Sequence, residues 1–207
     1  MPNTRLYGFR YIGPLNGGNP VEPLRFRVAA AYALALNVGD PVELLATGYV
    51  QLAAAATLGT VGVITGIGPV WNPATGRMEI MNRHPIIAGG PAYVYGEIGG
   101  VCTETTVLVV PAAGNLFECC GGTILAAATR AGYLATIGNN VPHMLTVAGN
   151  LNWPELNNAA PPGAGASQWR IMDLARTLYV DWAALYVPMI VSGNQVALPP
   201  AAPLAGI

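Results

Sequence analysis

Lysine is missing from this chain, and all nine basic residues are arginine. That absence removes the lysine form of the Gly-rich phosphate loop, whose amine reaches the terminal phosphates of a nucleotide. Charge of either sign is scarce, at 9% of residues, where an ordinary soluble domain carries about 25%. Nine basic and ten acidic residues give a net charge of −1 and no basic stripe, which argues against nucleic acid as a partner. Serine occurs twice, at Ser167 and Ser192, and neither sits in a G-x-S-x-G elbow. The three cysteines are an odd number. The start, "MPNTRLYGFR", lacks the continuous apolar segment of a secretory leader, so the reading is reduced thiols in a cytoplasm. No C-x-x-C or H-x-x-x-H spacing occurs, and His84 and His143 stand alone, so no metal or cofactor is expected.

What the chain has instead is apolar residues, at 53%. From Leu44 to Gly76 no side chain is charged. The length would suit a membrane helix, but Gly48, Gly59, Gly62, Gly66 and Gly68 punctuate the run, and each weakens a helix by about 1 kcal/mol relative to Ala. No arginine cluster flanks it. The run reads as strands and turns, with no membrane partner. "VELL" and "YVQL" are separated by "ATG", a three-residue hairpin loop with Gly48 at the left-handed position. "TVGVITGI" alternates, placing Val61, Val63, Thr65 and Ile67 on one face and Ile64 on the other.

The same pattern recurs along the chain. "LRFRV" places Leu24, Phe26 and Val28 inward and the two arginines outward. Val107 to Val110 is apolar on both faces, as in a strand covered on both sides. "PAAGNLFECC" reads as a turn and a strand, "PHMLTV" as a strand, and "QWRIMDLAR" with "ALYVPMIV" as a closing pair. Thr123 to Gly138 is compatible with a short helix or a loop, and Asn150 to Ser167 reads as a loop. The fold class is therefore all-β, a β-barrel or β-sandwich of short antiparallel strands. Residues 1–23 are an extended N-terminal arm whose prolines and glycines exclude a regular element. Residues 24–191 form the β-rich core, with two sub-parts meeting near 110, and 192–207 form a Pro-rich tail.

Candidate chemistry is thin. Cys119 or Cys120 with His143 could be a nucleophile and base, but adjacent strand residues face opposite ways, so only one cysteine would enter the core. Glu97 and Glu104 are the acid pair considered for a shared cleft, and isolated strand-surface acids are commoner. The reading is not an enzyme. The arm carries its own signal: Arg5, Leu6, Tyr7, Phe9, Arg10 and Tyr11 mix apolar anchors with arginine, as partner contacts do, or else fold back on the domain.

The segment "VGDPVELLATGYVQLAAAATLGTVGVITGI" resembles a recurring pattern in head decoration (cement) proteins of tailed bacteriophages, where a Gly-Asp-x-Val strand leads through a turn to Gly-x-Val-Gly-Val. "TVLVVPAAGNLFEC", "TRAGYLATIGNN", "QWRIMDLAR" and "ALYVPMIV" are similar to that family's later strands, so the resemblance covers Leu24 to Val191. Cys119, Cys120 and Gly121 depart from it. The resemblance implies a virion structural protein made in the host bacterial cytoplasm, a homotrimer on the outer capsid surface. Its partners would be the phage major capsid protein and further copies of itself, with the six arm residues as the expected capsid contacts. The competing expectation is a carbohydrate- or receptor-binding β module of a head fibre or tail, with Tyr93, Tyr95, Trp153, Trp169 and Trp182 as a stacking platform.

Overall fold

The structure is a computed structural model. It describes residues 8–29, 36–54, 59–72, 77–81, 83–84, 95–97, 100–102, 105–121, 128–148, 151–157, 167–175, 180–183 and 185–194, and the structural statements below concern these. The strands of the first half are β1 (Arg10–Pro14), β2 (Leu24–Val28), β3 (Leu36–Asn37), β4 (Pro41–Leu44), β5 (Val50–Leu52) and β6 (Thr60–Asn72). Then come β7 (Arg77–Met81), β8 (Arg83–His84), β9 (Tyr95–Glu97), β10 (Gly100–Cys102), β11 (Thr105–Pro111) and β12 (Asn115–Cys120). A short helix, α1 (Arg130–Leu134), precedes β13 (Asn140–Val141), β14 (His143–Ala148), β15 (Leu151–Leu156), β16 (Trp169–Leu174) and β17 (Pro188–Gly193). The fold is all-β, in sandwich-like antiparallel sheets and without a closed barrel.

One sheet has the order β2-β11-β6-β4-β5, with β7 also on β6. It curls until its edge strands meet at a single parallel bridge, Arg27 to Tyr49. The curl encloses Val28, Leu36, Val42, Val50, Ile64, Ile67, Val107 and Val109. The second sheet has the order β1-β12-β17-β16-β13 and packs Phe117, Cys119, Trp169, Ile171, Met189 and Val191 into a separate core. The chain passes between the sheets at the turn from β11 to β12. There the Asn115 side-chain amide donates to the Pro111 and Ala113 carbonyls at 2.9 and 3.2 Å. Ala112 ties the two sheets: its N–H donates to Val61 O at 3.0 Å, and its carbonyl accepts from Gly193 N at 3.1 Å.

The expected hairpin forms. Val42, Glu43 and Leu44 pair with Leu52, Gln51 and Val50, and Gly48 turns the loop at φ 84°. The period-two reading of β6 needs correction. Its register shifts against β4 near Val61, against β11 near Thr65 and against β7 near Gly68, so three bulges interrupt the ladder. Each extra residue reverses which face follows. Val61, Ile64 and Ile67 therefore share one core while Val63 enters the other. The bending also lets one edge of β6 pair first with β4 and then with β7, opposite β11.

Other expectations change as well. Residues 10–14 of the arm form a strand despite Gly13 and Pro14, with a register shift between Tyr11 and Gly13, because β1 lies at a sheet edge and needs partners on one side only. Leu24 is 50% exposed rather than inward, at the outer end of an edge strand. Part of the stretch read as a loop is β15, which pairs with β14 from Leu151 to Leu156. Ser192 and Gly193, assigned to the tail, continue β17. In the ambiguous stretch, Thr129 caps α1 by accepting from Gly132 N at 3.1 Å.

Candidate functional site

The Gly-Asp pair of "VGDPVEL" builds a small structural junction. Gly39 takes φ 98°, and the Asp40 carboxylate accepts from Asn37 N at 2.8 Å across the turn. Gly39 N–H donates to Ile64 O, its carbonyl accepts from Phe9 N at 2.9 Å, and Asp40 O accepts from Ile64 N. The N-terminal segment is thus seated on the same turn that starts β4. Gly8 is required there: it has φ 63°, and a Cβ would lie 2.6 Å from Gly39 O.

From that junction the segment enters the protein's own core. Phe9 is buried and stacks on Trp169, with ring centroids 4.3 Å apart and planes 21° from parallel. Phe117 meets the same indole edge-on at 5.7 Å. Trp169 Nε1 donates to His143 Nδ1 at 3.3 Å, and His143 Nε2 lies 3.0 Å from Ala53 O. Indole N–H is a donor only, so Nδ1 accepts and the proton of the neutral imidazole sits on Nε2, donated to the Ala53 carbonyl. Burial lowers the His143 pKa, partly opposed by the Ala53 hydrogen bond and the charge of Glu43.

Of the six expected contact residues, Arg5, Leu6 and Tyr7 lie outside the described residues. Phe9 is corrected from partner contact to core residue, because it is buried with its ring stacked on Trp169 and edge-on to His143. Tyr11 packs against the core, and its hydroxyl accepts from Val21 N at 3.1 Å. Arg10 stays exposed and pairs with the nearly buried Glu118 carboxylate on β12. The fold-back alternative therefore describes Phe9, Arg10 and Tyr11. The outward apolar groups are others: Ile12 at 48% and Leu15 at 42%, on and just after β1, with Leu24 on β2. Sequence alternation contained that signal, but its phase was set only once Phe9 and Tyr11 were seen to face inward.

Three of the reactive candidates, Cys119, Cys120 and His143, lie inside the fold. Both cysteines of the pair are buried, contrary to the one-in, one-out reading, because β12 is covered on both faces. Burial raises the Cys119 pKa, with nearby Cys120, Glu118 and Glu155 adding to it, which suppresses the nucleophilic thiolate. His143 is held by Trp169 and Ala53, not by a cysteine. His84 and Glu97 are placed by backbone alone in β8 and β9, and Glu104 lies outside the described residues. Among the described residues no group of three or more His, Cys, Asp or Glu could hold a metal. No described helix is long and apolar enough to cross a membrane.

Of the aromatic platform, Trp169 is fully buried and Tyr93 lies outside the described residues. Tyr95 and Trp153 are placed by backbone in β9 and β15. Trp182 is half-buried against Tyr133 and lines a hollow of ≈ 320 Å³ with Arg130, Leu134, Asp173 and Val180. The chain matches no family model, no curated protein and no solved structure.

Proposed function

We propose that this chain is a virion structural protein that decorates the outside of an icosahedral phage head as a homotrimer and clamps neighbouring major capsid subunits against internal pressure. The observation that carries the reading is the exposure of Ile12, Leu15 and Leu24 on or beside the edge strands β1 and β2. An apolar side chain on a strand edge invites association, and a chain with 9% charged residues does little to oppose it. A closed shell supplies many copies of a complementary surface, so modest contacts act together without any one being tight. Further support comes from Cys119, Cys120 and His143, all of which are buried and serve packing. The segments of the family resemblance, "GDPVEL", "TVGVITGI" and "TVLVVPAAGNLFEC", supply β4, β6, β11 and β12.

Cryo-electron microscopy of heads assembled with and without the chain tests the proposal. The expected result is added density at regular sites on the outer surface and stronger binding to shells than to free capsid subunits. Bare shells and a monomer at all concentrations would refute it. The saccharide-binding alternative keeps one favourable observation, the half-buried Trp182 beside Arg130 and Asp173 in the hollow. Hits on a glycan array that vanish in Trp182→Ala would replace the first reading with this one.

A further inference from the structure

We propose that His143 is the catch of an acid-sensitive latch that holds the N-terminal segment Gly8–Pro14 in the core, and that a second proton on its ring lets this segment go.

The argument rests on how the ring nitrogens are occupied. Trp169 Nε1–H points at His143 Nδ1 from 3.3 Å, and Nε2–H is used on Ala53 O at 3.0 Å. Imidazolium carries N–H on both nitrogens. A second proton must therefore sit on Nδ1, where the indole N–H already points. Two donors then face each other inside a closed core, and the indole has lost its acceptor. A buried donor without a partner costs about 1–3 kcal/mol. The indole or the imidazole has to tilt.

Phe9 is the group such a tilt reaches first. Its ring lies flat on the indole at 4.3 Å and meets the imidazole edge-on at 6.4 Å. Phe9 leads into β1, which has one sheet neighbour, β12, and a register shift between Tyr11 and Gly13. Phe117, the other ring on Trp169, lies on β12 between two neighbours and is better held. Segments with few anchors open before the core does. Release of β1 would uncover a new edge on β12, available for pairing with another chain.

The charges around the catch are few. Glu43 on β4 acts on His143 and favours the charged ring, while burial opposes it more strongly. On β15, the strand paired with β14, Glu155 is buried beside Leu156, the register partner of His143. Arg170 follows Trp169 and faces outward. On the segment itself, Arg10 is paired with Glu118, which ties the same strand to β12.

Hydrogen exchange on the full chain, compared at about pH 7.5 and about pH 5 after correction for intrinsic rates, tests the latch. In the wild type, protection at Phe9 to Ile12 should fall at least about tenfold at the lower pH, while Met189 to Val191 on β17, still paired with β12 and β16, keep their protection. His143→Gln presents an acceptor and a donor but takes no proton, so it should keep the segment protected at both values. Unchanged wild-type protection, a parallel loss in H143Q, or loss across the whole core at once would each overturn the proposal. Should H143Q not fold, ring nitrogen NMR of wild-type His143 decides the matter. Nδ1 protonation must share its midpoint with the loss of Phe9 protection, and separate midpoints would overturn the latch.

Discussion

Phe9 and Trp169, 160 positions apart in sequence, lie ring on ring with centroids 4.3 Å apart and form the seam between the N-terminal segment and the second core. Truncating Phe9 leaves a void against a fully buried indole. Phe9→Ala should lose about 3–5 kcal/mol in urea unfolding, and Phe9→Leu clearly less. A cost below about 1 kcal/mol for the alanine variant would mean that this seam contributes little.

Acid should weaken the fold through His143. Its folded pKa lies below the unfolded value because burial disfavours the charged ring. The unfolded chain therefore binds the extra proton first. The contribution is fully present above about 6.5 and is lost as pH falls from there towards the folded pKa. Urea midpoints measured between neutral pH and about pH 5 should fall for the wild type. His143→Gln should flatten that slope.

The two buried cysteines should be silent in the native state. In a Cys102→Ser background, a thiol reagent should modify neither Cys119 nor Cys120 at neutral pH, and both should react in denaturant. Rapid native labelling of either would contradict the covered position of β12.

Close backbone approach sets a sharp contrast between glycines. A Cβ at Gly62 would lie 2.3 Å from Val110 O, whereas one at Gly13 meets nothing within 4 Å. Gly62→Ala should therefore cost about 1–3 kcal/mol or more, because both strands would have to part. Gly13→Ala should stay within about 0.5 kcal/mol of the wild type. Thermal or urea unfolding of the pair checks both.

The capsid contact proposed above should depend on the outward side chains of the N-terminal segment. Ile12→Asp and Leu15→Asp remove apolar surface that faces solvent, so each should leave stability within about 0.5 kcal/mol and lower occupancy on heads. Deleting the segment is a poorer test, since it removes Phe9 and β1 from the fold. Full occupancy in both variants would move the contact surface elsewhere.

The legible parts of this protein were those set by neighbours in the chain. The hairpin around Gly48 could be read because a three-residue loop between two β-favouring runs needs a left-handed residue at that place. The turn "PAAGN" and the strand after it were legible for the same reason, with Asn115 closing back on Pro111 and Ala113. The bulges of β6 were not, because a bulge is a mismatch of length between partners and becomes defined only when β4, β11 and β7 are placed beside it. The fate of the N-terminal segment was equally hidden: a run of aromatic and arginine residues suits a neighbouring subunit as well as a cleft at home.

Sequence alone determined that this chain is built of short antiparallel strands, because alternation and glycine-bearing turns act over a few residues and tolerate few other backbones. It also set charged residues at 9% of the chain, which does little to oppose association. Tertiary structure decided which apolar groups are hidden and which are shown. Phe9, Cys119 and Cys120 went inside while Ile12, Leu15 and Leu24 stayed out, since burial depends on what packs across from a side chain and not on what precedes it. It also decided the protonation of His143, whose two nitrogens are assigned by an indole and a carbonyl from elsewhere in the chain.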